Sequence, residues 1–252
     1  MKAGVPADLP RISMPLSPAI DCPTWDSVVA ATAPMAGSAV RDGNELATII
    51  YTSGTTGMPK GVMQSFATFA WSIGAVRRRL DINEHSRILS YLPLAHVAER
   101  TLVEHGLLAS GMHVFFADSL ATFAVDLQRA RPTIFFSVPR LWVKFQQGVL
   151  AKMPAARLDR LLGIPIVRSI VAKKVLRAIG LDHCKVAAGG AAPMPPELLQ
   201  WYRRLGLRLS EVYGMTENCG VSHATLPEQP RPGTVGVPYD GVSSRIDPVT
   251  SE

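Results

Sequence analysis

The chain has 252 residues, of which 47% are hydrophobic and 18% charged. That composition supports one large core or two small ones and excludes a wholly disordered chain. The formal charge is +6, from 26 basic and 20 acidic residues. No apolar run is long enough for a spanning helix, and residues 1–6 lack the apolar stretch of a secretory signal. Cys22, Cys184 and Cys219 lie far apart, with neither a disulfide frame nor zinc-ligand spacing. They suit a reducing, cytoplasmic setting. The basic runs at 77–79, 173–174 and 203–204 are short and carry no interleaved aromatics. They read as solvated helix faces, and nucleic acid is not expected as a partner.

In chain order, residues 1–45 are rich in Pro, Ala, Ser and Gly and read as a lead-in with at most a short helix near 25–31. Residues 46–252 then alternate short apolar runs with helical patterns. Strands are expected at 47–52, 87–92, 112–116, 133–137, 185–188 and 207–213. Helices are expected at 65–80, 97–109, 121–131, 139–153, 166–179 and 195–205. Strands separated by helices predict an α/β protein with a mostly parallel, buried sheet flanked by helices. Residues 161–180 mix isoleucines and valines with Arg168, Lys173, Lys174 and Arg177. This stretch suits a basic amphipathic helix resting on the inner face of a membrane. It suits equally an ordinary surface helix with a core-facing stripe.

The most informative stretch is 50–62, Ile-Tyr-Thr-Ser-Gly-Thr-Thr-Gly-Met-Pro-Lys-Gly-Val. An expected buried strand runs into a loop of hydroxyls and glycines, and a helix is expected to follow. Glycines allow close backbone approach to an anion, and free N–H groups form a concave nest. Thr52, Ser53, Thr55 and Thr56 add hydroxyls, Gly54 and Gly57 add backbone freedom, and Lys60 adds a cation. It is not a Walker A loop, because Pro59 precedes the lysine and Gly61 follows it. Further along, Tyr213-Gly214-Met215-Thr216-Glu217 offers a ring to stack on a purine, a hydroxyl for a phosphate oxygen and a carboxylate for Mg²⁺. On its own it also reads as a glycine turn with a helix-capping Thr-Glu pair.

These two stretches resemble the phosphate-loop and Tyr-Gly-x-Thr-Glu signatures of the AMP-forming (adenylate-forming) ligases. Gly189-Gly190-Ala191-Ala192-Pro193 resembles that family's small-residue turn beside the adenine, and residues 233–238 resemble the segment that follows. Residues 92–100, Leu-Pro-Leu-Ala-His-Val-Ala-Glu-Arg, and much of 114–143 resemble long-chain fatty acyl-CoA synthetases within it. The resemblance spans roughly 46–246. It implies the central part of the large N-terminal domain of that fold.

The implied activity is ATP-dependent activation of a medium- or long-chain fatty acid as an acyl-adenylate, followed by transfer to CoA. Lys60, Thr216 and Glu217 would be catalytic, with Glu217 on Mg²⁺. Thr52 to Gly57, Lys60, Gly190, Ala191, Ala192, Tyr213, Gly214 and Thr216 would hold ATP or AMP. His96 and Gly189 would lie at the acyl site. Two alternatives stay open: an adenylation module loading a carrier protein, and a non-catalytic nucleotide- or acyl-binding remnant. The family's ribose-binding Asp motif, hinge and C-terminal domain with its lysine lie beyond the matched motifs. The 252-residue chain is therefore expected to be inactive or incomplete for acyl-CoA formation. His96 and Glu99, with Glu104 and His105 nearby, only faintly suggest a di-metal helix.

Overall fold

The computed structural model describes residues 8–15, 21–53, 57–225 and 231–249. Two compact units appear, Met1–Arg41 and Asp42–Glu252. In the first, a parallel bridge joins Ser13 to Thr24, and helix α1 (Trp25–Ala31) follows. Thr24 caps it, its side chain accepting from the Ser27 N–H.

In the second unit, β1 (Leu46–Thr52) pairs antiparallel with β2 (Lys60–Ser65), with Thr52 opposite Lys60. This corrects two expectations. The hydroxyl- and glycine-bearing segment connects two strands of a hairpin rather than leading straight from strand into helix. β1 is also not a buried strand, since Ile50 alone on it is buried. Among the described residues it is paired with β2 only. Helix α2 (Phe66–Leu80) starts after β2, capped by the Ser65 side chain on the Thr68 N–H. It ends in a left-handed Asp81, with three arginines in the last turn, where cations complement the helix dipole. Arg79 also lies over the Tyr239 ring at 4.4 Å.

β3 (Arg87–Ser90) and β4 (His113–Phe116) form a parallel pair. Between them the expected helix is only partly α-helical. Glu99–His105 is a wide π-helical turn, and α3 (Gly106–Ser110) completes it. In that turn His105 stacks on Phe69 of α2 at 4.0 Å and hydrogen-bonds the Arg100 carbonyl five residues back. Buried Glu99 accepts from the Ser90 hydroxyl, and Glu104 pairs with Arg100. The acidic and imidazole groups of the faint di-metal pattern are thus engaged elsewhere.

α4 (Phe123–Ala130) leads to β5 (Ile134–Ser137), and three helices follow: α5 (Pro139–Lys152), α6 (Ala155–Leu162) and α7 (Pro165–Ala178). The eight residues of α6 were not anticipated as a helix. β6 (Val186–Gly189), α8 (Pro196–Arg204) and β7 (Leu209–Tyr213) come next. Strands β5, β6 and β7 run parallel side by side. Two-residue strands β8 (His223–Ala224) and β9 (Val237–Pro238) extend the sheet antiparallel, making it mixed. The principal core under this sheet contains Phe135, Trp142, Leu181, Leu198 and Tyr202. The Tyr202 hydroxyl donates to the Trp142 carbonyl at 2.7 Å, so the buried phenol is satisfied.

Candidate active site

Parallel strands β6 and β7 end side by side, and the small-residue turn and the Tyr-Gly turn leave from those ends. Crevices at the carboxyl ends of parallel strands are where α/β sheets bind ligands. Here the crevice is a cleft of about 390 Å³ lined by Gly189, Ala191, Ala192, Pro193, Glu211, Val212, Tyr213, Gly214 and Gly233–Val235. The two turns and the 233–235 segment, singled out separately in the sequence, thus converge on one space of ligand size.

The small residues are sterically required. A Cβ on Gly214 would sit 2.3 Å from the Gly220 carbonyl carbon. One on Gly190 would sit 2.8 Å from Val212 Cγ2 and 2.9 Å from the Val212 carbonyl oxygen. Ala191 takes a left-handed φ of +67° at the turn, a conformation costly for a side-chain-bearing residue and frequent at functional sites. Tyr213 lines the cleft 45% exposed, with the His223 ring tilted at 6.2 Å, so aromatic surface is accessible for stacking.

Glu211 was not singled out from the sequence. It is buried at the cleft floor and accepts from the backbone N–H groups of Gly233 and Met194. Burial pushes its carboxyl above the usual range against the opposing effect of those two donors. One side chain thereby joins the segment after the small-residue turn to the segment at Gly233. A charged residue inside an expected buried strand was the available signal.

A second, narrower cavity of about 100 Å³ lies against the first and shares Ala191, Val212 and Gly214 with it. Its wall is apolar, with Val76, Leu80, Val97, Leu102, Ile134, Phe136 and Val221, plus His96. His96 Nδ1 accepts from the Ala98 N–H at 3.1 Å, which leaves the proton of the neutral ring on Nε2. Burial lowers its pKa, favouring that neutral form. Nearby, the hydroxyl of buried Thr101 donates to the Cys219 carbonyl at 2.9 Å, fastening the π turn to the loop after Tyr213.

Thr216–Asn218 forms a single 3₁₀ turn with exposed Glu217 in it. Thr216 is held from the hairpin: Gln64 of β2, 2% exposed, donates from Nε2 to the Thr216 carbonyl at 2.6 Å. Gln64 Oε1 accepts from the Cys219 thiol at 3.3 Å. No sequence signal marked Gln64. Exposed Lys60 and Gly57, which has φ +81°, lie at the same hairpin's end, near Thr52 and Ser53. Gly54, Thr55 and Thr56 lie outside the described residues.

Of the residues expected to hold nucleotide, Ala191, Ala192, Tyr213 and Gly214 line the larger cleft. Gly190 supports its wall from behind. Gly189, expected at the acyl site, lines the same larger cleft. Lys60, Thr216 and Glu217 line neither cavity. Among the described residues no three His, Cys, Asp or Glu side chains cluster to hold a metal by themselves. Exposed Glu217 fits a different scheme, in which one carboxylate and substrate phosphates share Mg²⁺.

The mixed α/β architecture is that of the N-terminal domains of adenylate-forming ligases. ATP-bound MatB from Rhodopseudomonas palustris superposes with a TM-score of 0.66 at 26% identity, covering 90% of this chain and 41% of that one. The N-terminal domain of FACL13 from Mycobacterium tuberculosis, at 23% identity, shares the fold with a TM-score of 0.59 over 87% of this chain and 50% of that one. The model of the AMP-binding enzyme family matches residues 13–252, and the chain belongs to that family. Among curated relatives, the long-chain-fatty-acid–CoA ligase ACSBG2 of Xenopus laevis is 32% identical over 235 residues, 81% of this chain and 32% of the relative. The putative fatty-acid–CoA ligase fadD11 of Mycobacterium tuberculosis is 30% identical over 231 residues, 80% of this chain and 40% of the relative. The chain thus spans about a third of the length of these curated relatives.

Proposed function

We propose that these residues form the nucleotide- and acyl-binding part of an ATP-dependent fatty acid–CoA ligase. The observation that carries the reading is the adjacency of a nucleotide-sized cleft at the Tyr213 ring and a narrower apolar cavity, which share Ala191, Val212 and Gly214 as a partition. A carboxylate whose alkyl chain enters the apolar side would meet a nucleotide at that partition. The acyl oxygen would then attack the α-phosphate, and pyrophosphate would leave.

Both reactants are anionic, so the reaction needs cations and fixed donors where charge gathers. Lys60 supplies an exposed cation at the hairpin end. Thr216 supplies a hydroxyl, and the Tyr213 ring a surface for the adenine. His96, neutral with its proton on Nε2, supplies a donor in the wall of the apolar cavity without adding charge. When bound, Mg²⁺ would neutralise polyphosphate charge, with Glu217 as its protein carboxylate. CoA would be the acceptor in the second half-reaction, as the names of the curated relatives suggest.

The test is calorimetric titration of the chain with ATP and, separately, with palmitate and acetate. Saturable binding of ATP and of palmitate, with acetate at least tenfold weaker, supports the reading. Failure to bind either ATP or palmitate, in protein shown to be folded by its melting transition, would reject it.

A further inference from the structure

The net charge of this protein is not spread over its surface. The stretch 139–178, which makes up α5, α6 and α7, holds nine basic residues and a single acidic one, Asp159. The rest of the chain carries 17 basic and 19 acidic residues. The positive character therefore belongs to one group of three helices. Asp159 is itself bridged to Arg204 of α8 at 2.7 Å, so it neutralises a different arginine.

α7 has two faces. Ala172 and Val175 are buried against Val149, Leu158, Leu162 and Leu205, so the core-facing side is satisfied. On the other side Ile166, Ile170, Lys173 and Arg177 fall at successive steps of four, three and four residues along one helical stripe. Lys174 flanks it. Ile166 is 82% exposed and Ile170 66% exposed, and the three cations are exposed as well. Ile164, just before the helix, is 45% exposed. The stripe is apolar at its N-terminal end and basic at its C-terminal end. No residue of α7 lines the nucleotide cleft or the apolar cavity beside it.

We propose that the outer face of α7, with the basic flanks of α5 and α6, docks on an anionic phospholipid bilayer. Ile166 and Ile170 enter the interfacial layer while Lys173, Lys174 and Arg177 meet the headgroups. The charge of 139–178 is complementary to anionic lipid, and juxtaposed isoleucines and cations are what an interfacial helix presents. A polynucleotide would use the cations but has no apolar layer to receive the isoleucines. Non-specific single-strand binders present exposed aromatics for stacking, and no aromatic of 139–178 is among the exposed large side chains. An acidic protein would pair the charges and leave the isoleucine end in water. The docking face is defined by charge and exposure on α5 to α7 alone and is independent of the proposed ligase chemistry.

The test is co-sedimentation of the 252-residue chain with vesicles of phosphatidylcholine alone or of phosphatidylcholine mixed with phosphatidylglycerol. Binding is expected to the mixed vesicles and not to phosphatidylcholine alone. Each basic residue near an anionic surface contributes on the order of fivefold to partitioning, so Lys173→Glu/Lys174→Glu/Arg177→Glu should lower it by roughly 100-fold or more. Ile166→Ser/Ile170→Ser should lower it by about tenfold at unchanged charge.

Melting temperatures within about 2 °C of the parent are expected, because the altered positions are solvent-exposed. ATP titration of the same variants should be unchanged, which separates failure of this surface from failure of the nucleotide site. No binding to the mixed vesicles overturns the proposal. So does a loss confined to the charge-reversal variant, which would mean electrostatic adhesion without insertion. Tighter retention by double-stranded DNA than by mixed vesicles at matched salt overturns it as well.

Discussion

Gln64 offers a direct measure of whether the hairpin and the Tyr213–Glu217 segment act as one unit. Its amide is 2% exposed and bonds in both directions, to the Thr216 carbonyl at 2.6 Å and from the Cys219 thiol at 3.3 Å. Gln64→Met keeps the length and most of the volume but removes the donor. The Thr216 carbonyl then loses its partner, at a cost of about 1–3 kcal/mol for a buried polar group. For a domain of this size, each kcal/mol corresponds to about 2–4 °C in Tm, so the variant should melt roughly 2–12 °C lower. If the bond also fixes Thr216 for the nucleotide, part of that loss appears in binding. ATP affinity should then fall about fivefold to tenfold, through a smaller population of the competent arrangement. The assay is calorimetric ATP titration well below the variant's melting transition, beside a melting curve of the free protein. A lowered Tm with unchanged ATP affinity would refute the coupling and leave Gln64 a purely structural residue.

Lys60→Ala should weaken ATP binding by about tenfold, a typical loss for a cation facing phosphates, with Tm unchanged because the side chain is exposed; an unchanged ATP isotherm would remove Lys60 from the phosphate site. Gly214→Ala places a Cβ 2.3 Å from the Gly220 backbone, so the turn must shift, and a destabilisation of about 1–3 kcal/mol in urea unfolding is expected. A neutral result there would show that the Gly214 and Gly220 backbones are not rigidly apposed. Asp182→Asn concerns pH. Arg131 bonds Asp182 at 2.5 Å and holds its carboxyl below the usual aspartate range. The ionised aspartate therefore contributes stability above its unfolded pKa of about 3.9, and that contribution is lost as pH falls through the lower folded value. The variant should melt below the parent at pH 7, with the gap closing under strong acid; a gap constant with pH would mean that the charge of Asp182 is not the cause.

Much of the architecture was written locally. Periodicity and caps located α2, α5 and α8, and short apolar runs located β5, β6 and β7, because period and turn residues are properties of neighbouring positions. The small-residue turn and the Tyr213–Glu217 turn were legible for the same reason, each being a contiguous string. What the string could not contain was decided in three dimensions. β2, Lys60–Ser65, has no two-residue alternation of its own and exists through pairing with β1, so its glycine-rich start read as loop. The helix after His96 widens into a π turn whose Glu99 and Thr101 bond to Ser90 and Cys219, partners 9 and 118 residues away. Gln64 meets Thr216 across 152 positions, and Glu211 ties Met194 and Gly233, which stand on different segments. A side chain's propensity depends on its nearest neighbours in the chain, whereas satisfying a buried polar group depends on whichever backbone the fold brings beside it. The motifs were therefore readable from the sequence, and the bonds that gather them into one site belong to the tertiary structure.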